Sequence, residues 1–254
     1  MNTVISYHKY SPGGNITALV LIHGIENRQD VASRIMHQDP EIEQVGFIES
    51  FQDADISIAM GGSEFCGNAA RCLAFHYFLE TQKKKLTLKM SGFDAQMEAE
   101  ITSLNEVVLT LPSSFISEIL SVPEGYLVGM QGIRFLITET KLRLDELDQL
   151  SFLYGKGTPA FGVVQINKND DITTISPWVK VFKTSTAMFE SACGSGSIAA
   201  ALALMQESTT QATFVLQQPS SSLYTVTFFQ GEDGLSYIRF GGPVNLVSSN
   251  NLIK

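Results

Sequence analysis

Two stretches of the chain share one plan: "SEFCGNAARCLAFHYFL" at 63–79 and "FESACGSGSIAAALALM" at 189–205. Each sets a glutamate just before a cysteine, follows the cysteine with glycine, and then runs into small and apolar residues at helical length. A surface helix keeps a polar stripe, whereas Ala69, Ala70, Leu73, Ala74, Phe75, Tyr77 and Phe78 leave little room for one, so this helix has to be buried and central. The two cysteines are 193 − 66 = 127 residues apart, half of the 254-residue length, which suggests an internal duplication with a thiol at the start of each buried helix.

The segments around these helices read mainly as strands. "ITALVLI" (16–22), "VGFIES" (45–50) and "DISIAM" (55–60) are β-branched or alternating and bounded by turn residues, with "VASRIMHQ" (31–38) as the helix between them. Period-two alternation returns at 85–112, and Pro112 with Ser113-Ser114 offers a boundary, dividing the chain into 1–113 with Cys66 and 114–254 with Cys193. The second half repeats the order: "RFLIT", "FGVVQIN" and "WVKVFKT" precede the Cys193 helix, and "ATFVLQQ", "LYTVTFF" and "LSYIRF" follow it, the last two joined by a turn at 231–234. "KLRLDELDQL" (141–150) adds one amphipathic helix. The expected class is therefore α/β in the α+β sense, in two similar lobes.

Composition narrows the function. With 44% hydrophobic residues the chain can bury a sizeable core, and a net charge of −9 with no basic cluster beyond Lys83-Lys84-Lys85 argues against nucleic acid or an anionic membrane as partner. The N-terminus lacks the basic start and apolar core of a signal peptide, and the run 198–205 is too short to span a bilayer, so a cytoplasmic location is expected. Three cysteines, an odd number, argue for reduced thiols available for chemistry.

A helix start presents unpaired N–H groups and the positive end of the helix dipole, which is expected to lower the pKa of a thiol placed there. Glycine at 67 and 194 lets a small anion approach both sets of amides. If the two helix starts face each other, two thiols flank one cleft. That arrangement suits removal of a proton from one face of a carbon and delivery to the other, one cysteine acting as thiolate base and the other as thiol acid. The helix ends would stabilise the carboxylate as charge gathers in the transition state.

"FCGNAARC" and "ACGSGS" resemble the paired cysteine motifs of the diaminopimelate epimerase superfamily, and "KYSPGGNIT" resembles its opening strand with a substrate-binding asparagine, Asn15. The resemblance runs over the whole chain. It implies a cofactor-independent racemase or epimerase in two pseudo-symmetric lobes, each a curved, mainly antiparallel sheet wrapped around its helix. It implies Cys66 and Cys193 as the catalytic pair, with Gly67, Asn68 and the amides of Gly194, Ser195, Gly196 and Ser197 around the substrate α-carboxylate. The expected partner is a small amino acid, and a homodimer is left open.

Members acting on diaminopimelate carry a Glu-Arg pair before the second cysteine, whose arginine grips the distal carboxylate; here Thr184 and Ser185 stand in those places. "EQVGFIES" (43–50), with the two cysteine motifs, is similar to histidine racemases that serve opine-type metallophore pathways, making Glu43 and Gln44 candidates for the side-chain pocket. Glu49, Glu64 and Glu190 have weaker claims. Diaminopimelate or another amino acid as substrate, and a silent small-molecule binding protein, are the alternatives. Cys72, without a counterpart in the second half, reads as core. The spacing of Cys66, Cys72 and His76 does not suit zinc, so no metal is expected, and His8, His23 and His37 assemble into no recognisable triad.

Overall fold

The chain alternates strands and helices in an order that occurs twice. The computed structural model describes residues 5–21, 27–49, 53–169, 172–207, 212–232 and 234–252; His23 and Asp233 of the expected 231–234 turn lie outside them. The first run is β1 (Ile5–Ser11), β2 (Thr17–Val20), α1 (Arg28–Gln38), β3 (Gln44–Glu49), β4 (Ile56–Met60), α2 (Gly67–Thr81), β5 (Lys85–Met90), β6 (Phe93–Ile101) and β7 (Glu106–Pro112). A 3-10 turn at Ser113–Phe115 leads to β8 (Ile116–Val122). The second run is β9 (Gly125–Met130), β10 (Ile133–Thr138), α3 (Leu144–Tyr154), β11 (Ala160–Lys168), β12 (Thr173–Val181), β13 (Thr186–Phe189), α4 (Gly194–Glu207), β14 (Thr213–Gln217), β15 (Leu223–Gly231), β16 (Gly234–Pro243) and β17 (Asn245–Leu252).

Pairing repeats strand for strand. β1 and β2 are antiparallel, β2 and β3 parallel across α1, β3 and β4 antiparallel, β4 and β5 parallel across α2, and β5, β6 and β7 antiparallel. β9 to β12 and β14 to β16 follow the same senses, with parallel pairs across α3 and α4. β7 and β16 pair antiparallel and join the two runs, Leu109 opposite Phe240. The strand after each run then crosses over: β8 pairs with β9, and β17 pairs with β1. The expected mixed, strand-rich class holds, while β8, β9, β13 and β17 are strands that local pattern did not announce.

The sheet curls around the two apolar helices. Every residue of α2 from Gly67 to Phe75 and of α4 from Gly194 to Leu204 is buried, which is why neither needs a polar face. Both helices belong to a single hydrophobic cluster with strands of both runs, including Leu88, Val107, Val164, Val226 and Phe240. Each fully buried Leu or Phe there contributes about 1.5–3 kcal/mol. The outer helices have their own small cores: α1 sets Val31, Ala32 and Ile35 against Tyr7, Val20 and Phe47, and α3 sets Leu147 and Leu150 against Phe161 and Trp178. Among the described residues no helix is long and apolar enough to cross a membrane.

The small residues let the buried helices meet at their starts. A Cβ on Gly67 would stand 3.6 Å from the Gly194 carbonyl carbon, and one on Gly194 would stand 2.9 Å from Asn68 Oδ1 and 2.8 Å from Phe240 Cζ. Across this contact the Gly67 N–H donates to Ser195 Oγ at 3.3 Å, and Asn68 Nδ2 donates to the Ala192 carbonyl at 3.0 Å.

Candidate active site

Both cysteines occupy equivalent cap positions. Cys66 is the N-cap of α2 in extended backbone (φ −138°, ψ 105°), and its sulfur accepts the Ala69 N–H at 3.4 Å. Cys193 precedes α4 in the same way: its sulfur accepts the Gly196 N–H at 3.3 Å and its carbonyl accepts the Ser197 N–H at 2.9 Å. Each thiol thus satisfies an orphan donor of its own helix start, three residues on. The Cys66 N–H donates to Met90 Sδ at 3.4 Å and the Cys193 N–H to Gln218 Oε1 at 2.9 Å, fixing each cap from behind.

The two thiols face one cavity of about 250 Å³. Gln44, Glu64, Phe65, Asn68, Thr184, Glu190, Gly194 and Ser195 are among its walls, with Ala32, Val45, Ile133 and Val179 as apolar surface. That is below the roughly 300–1,000 Å³ of sites for drug-sized ligands, so it suits a single small metabolite. Glu43, Glu64 and Glu190 line it together with Lys183, the one cation among the described lining residues, whose charge acts on Glu64.

Burial reverses the expected thiol chemistry. The Cys66 and Cys193 thiols are both pushed up, first by desolvation and then by the Glu190 charge, and the N–H donors of the helix starts do not offset this. The lowering expected from the helix dipole is therefore outweighed by burial. Glu190, which hydrogen-bonds the Cys193 thiol, is raised to about 7 by desolvation, with Glu43 and Glu64 adding like-charge repulsion. Glu64 is raised to about 7 by desolvation too, opposed by Lys183. Both acids, read from sequence as weak candidates, are the most perturbed carboxyls of the site.

The remaining sequence candidates divide. Gln44 accepts the Cys66 S–H at 2.9 Å and donates to Thr17 Oγ1 at 2.7 Å. Glu43 lines the cavity, but its carboxylate is engaged by Ser191, accepting the backbone N–H at 3.0 Å and the hydroxyl. Gly196 and Ser197 have their N–H groups on Cys193, which leaves Gly194 and Ser195 as the α4 amides at the wall. Asn15 is buried at positive φ, outside the cavity lining, and its backbone N–H donates to Ser191 Oγ. Thr184 lines the cavity whereas Ser185 does not. Glu49 lies outside the wall, ion-paired with Arg28. Lys183, Ser191 and Gln218 had no signal in the sequence beyond their nearness to the second motif and to strand β14. Cys72 is fully buried in the core, as expected.

Comparison with known proteins gives the family and the fold. The histidine racemase CntK N-terminal domain family matches residues 4–252. A histidine racemase from Fusobacterium nucleatum is 26% identical over 98% of this chain and 97% of its own. A PhzF-family phenazine biosynthesis protein from Bacillus anthracis has a TM-score of 0.72 at 13% identity, covering 99% of this chain and 100% of that one. A probable proline racemase from Agrobacterium radiobacter has a TM-score of 0.66 at 13% identity over 98% of this chain and 92% of its own. At such identity these two structures speak for the fold alone, and it is the match over nearly the full length that places this chain in the histidine racemase CntK family.

Proposed function

We propose that the chain interconverts L- and D-histidine without a cofactor, using Cys66 and Cys193 as a two-base pair. The observation that carries this reading is the pairing itself: two thiols at equivalent caps of two touching helices, on one cavity of amino-acid size. One sulfur, as thiolate, takes the α-proton, and the opposite thiol gives its proton to the other face of the carbon; the reverse reaction exchanges the roles. The Gly194 and Ser195 N–H groups are the donors available to the α-carboxylate as it takes up charge.

The raised thiol pKa values fit a resting site with neutral thiols. An α-ammonium entering beside Glu64 and Glu190 brings positive charge, which favours the thiolate, and the Glu190 carboxylate beside Cys193 is the acceptor at hand for the thiol proton. For the side chain, the walls offer carboxyl oxygens suited to an imidazole N–H; against a second carboxylate the described lining sets Glu43, Glu64 and Glu190, with no arginine and only Lys183, whose charge is already felt by Glu64. Three unpaired thiols suit a reducing, cytoplasmic setting.

L-Histidine, L,L-diaminopimelate and L-alanine in competition, with α-deuterium incorporation followed by NMR, test the substrate. Histidine is expected to lead diaminopimelate by ~10³ or more in kcat/KM, because a buried charge left unpaired discriminates by orders of magnitude. Equal exchange of diaminopimelate would remove histidine as the substrate and leave the racemase chemistry standing. Activity is expected to persist without added pyridoxal phosphate and in the presence of carbonyl reagents.

A further inference from the structure

The most deeply buried cation of the described molecule has no part in the reaction as derived above. Arg71 lies at the start of the second turn of α2 with 0% exposure, yet no carboxylate stands within ion-pair distance of it among the described residues; Glu106 feels its charge from farther off. Its guanidinium donates to Asn68 Oδ1 at 2.8 Å, to the Pro12 carbonyl at 3.0 Å and to the Pro243 carbonyl at 3.3 Å. It also lies over the rings of Tyr224, at 4.3 Å, and Phe240, at 4.8 Å. The Tyr224 hydroxyl donates to the same Pro12 carbonyl and stands 3.2 Å from Asn68 Oδ1.

These contacts reach both thiols. Pro12 follows β1, Pro243 ends β16, and Asn68 is two residues after Cys66. Asn68 Nδ2 donates to the carbonyl of Ala192, the residue before Cys193. An asparagine amide has two ends of nearly equal size, so packing alone does not decide which one faces Ala192. The guanidinium and the Ala192 carbonyl decide it together: Arg71 donates to Oδ1 and so holds the N–H end toward Ala192, in the segment between β13 and α4. An apolar side chain of similar volume could fill this space, but would leave the Pro243 carbonyl and Asn68 Oδ1 without this donor. An apolar side chain has no donor with which to orient the amide.

We infer that Arg71 is a positioning residue, which holds the Cys66 and Cys193 thiols in register across the cavity through the chain Arg71, Asn68, Ala192. The inference rests on the two-thiol reading, because inversion needs acid and base aligned on opposite faces of one carbon. A shift of about 1 Å in such alignment costs on the order of 10² in rate.

The test runs L-histidine in D2O with the full chain and follows three quantities: D-histidine formed, deuterium in the recovered L-histidine, and the thermal midpoint. With aligned thiols the new proton comes from the opposite face, so deuterium appears chiefly in the product. In Arg71→Met, inversion is expected to fall about tenfold or more through kcat, with KM within about threefold. The ratio of deuterium in recovered substrate to product formed is expected to rise, since a misplaced acid lets the base thiol return a solvent-exchanged proton to its own face. Arg71→Lys, keeping one donor for Oδ1, is expected to recover part of the loss. Asn68→Asp serves if Arg71→Met does not fold: it keeps an acceptor for Arg71 but removes the donor to Ala192, and is expected to raise the same ratio. A wild-type ratio in folded Arg71→Met or in Asn68→Asp, including a proportional fall of inversion and exchange, overturns the inference. Racemisation by Cys66→Ser would instead overturn the two-thiol reading, whatever Arg71 does.

Discussion

Three cysteines of identical chemistry have three different surroundings, and those surroundings set what each substitution should do. Cys66→Ser and Cys193→Ser are each expected to lower racemisation by ~10³ or more, because a serine hydroxyl is too weak an acid to supply the anionic base; chiral chromatography measures it. Cys72 is fully buried away from the cavity. Cys72→Ala is expected to leave kcat/KM within about twofold and to cost about 1–2 kcal/mol in urea unfolding, the price of a small void. Glu64 gives a pH-dependent contrast. Burial raises its carboxyl from 4.5 to about 7, so the folded state holds the proton more tightly than the unfolded one. The stability tied to this group is therefore full below about pH 4.5 and is lost as pH rises through 7. Glu64→Gln, which does not ionise, is expected to be more stable than the parent at pH 8 by on the order of 1–3 kcal/mol and to lose that advantage toward pH 5. Thermal midpoints of both proteins across this range decide it. The two thiols were legible in the sequence because the Cys-Gly pattern occurs twice. The rise in their pKa was not, because desolvation and the Glu190 charge come from residues the fold gathers around them.

At the scale of elements, α2 and α4 were readable because each is apolar all round, a pattern only full enclosure explains. Their mutual contact depends on the absence of side chains at 67 and 194. Gly194→Ala places a Cβ within 3.0 Å of both Asn68 Oδ1 and Phe240, at 2.9 Å and 2.8 Å. The helix starts must then separate, with an expected loss of 1–3 kcal/mol, about the range for an overpacked core, and of about 10² in kcat. Steady-state kinetics beside thermal unfolding checks both. The strands that sequence did not announce share a reason. β13 covers only Thr186–Phe189, and β17, "NLVSSNNL", is mostly polar with two adjacent asparagines, residues depleted in strands. It becomes a strand because β1 lies beside it, Tyr7 opposite Asn250 and Ile5 opposite Leu252.

At the scale of the whole molecule, the chain is held together by exchange between its two runs: β7 on β16, β8 on β9, and β17 back on β1. Around the site the same tie recurs in side chains, where Glu43 and Asn15 of the first run meet Ser191 of the second. A chain ending at Val244 would leave the β1 edge that β17 covers without its partner, a ready template for association. Such a truncation is expected to lower the thermal midpoint by roughly 5–10 °C and to aggregate, since about two to three kcal/mol corresponds to that shift for a chain of this size; light scattering during thermal unfolding tests it. Sequence by itself determined the duplicated plan, the buried helices, the two cysteines and the strand-rich class, because periodicity and spacing are local properties that each segment carries alone. Only the tertiary structure decided which amides stay free, that Glu43 is engaged by Ser191, that Lys183 joins the cavity, and that Arg71 turns the Asn68 amide. The Glu43–Ser191 contact, the place of Lys183 and the Asn68–Ala192 bond that Arg71 supports join groups far apart in the chain, which no local pattern records. The cap bonds that occupy the Gly196 and Ser197 amides, though local, depend on side-chain and backbone geometry that periodicity does not carry.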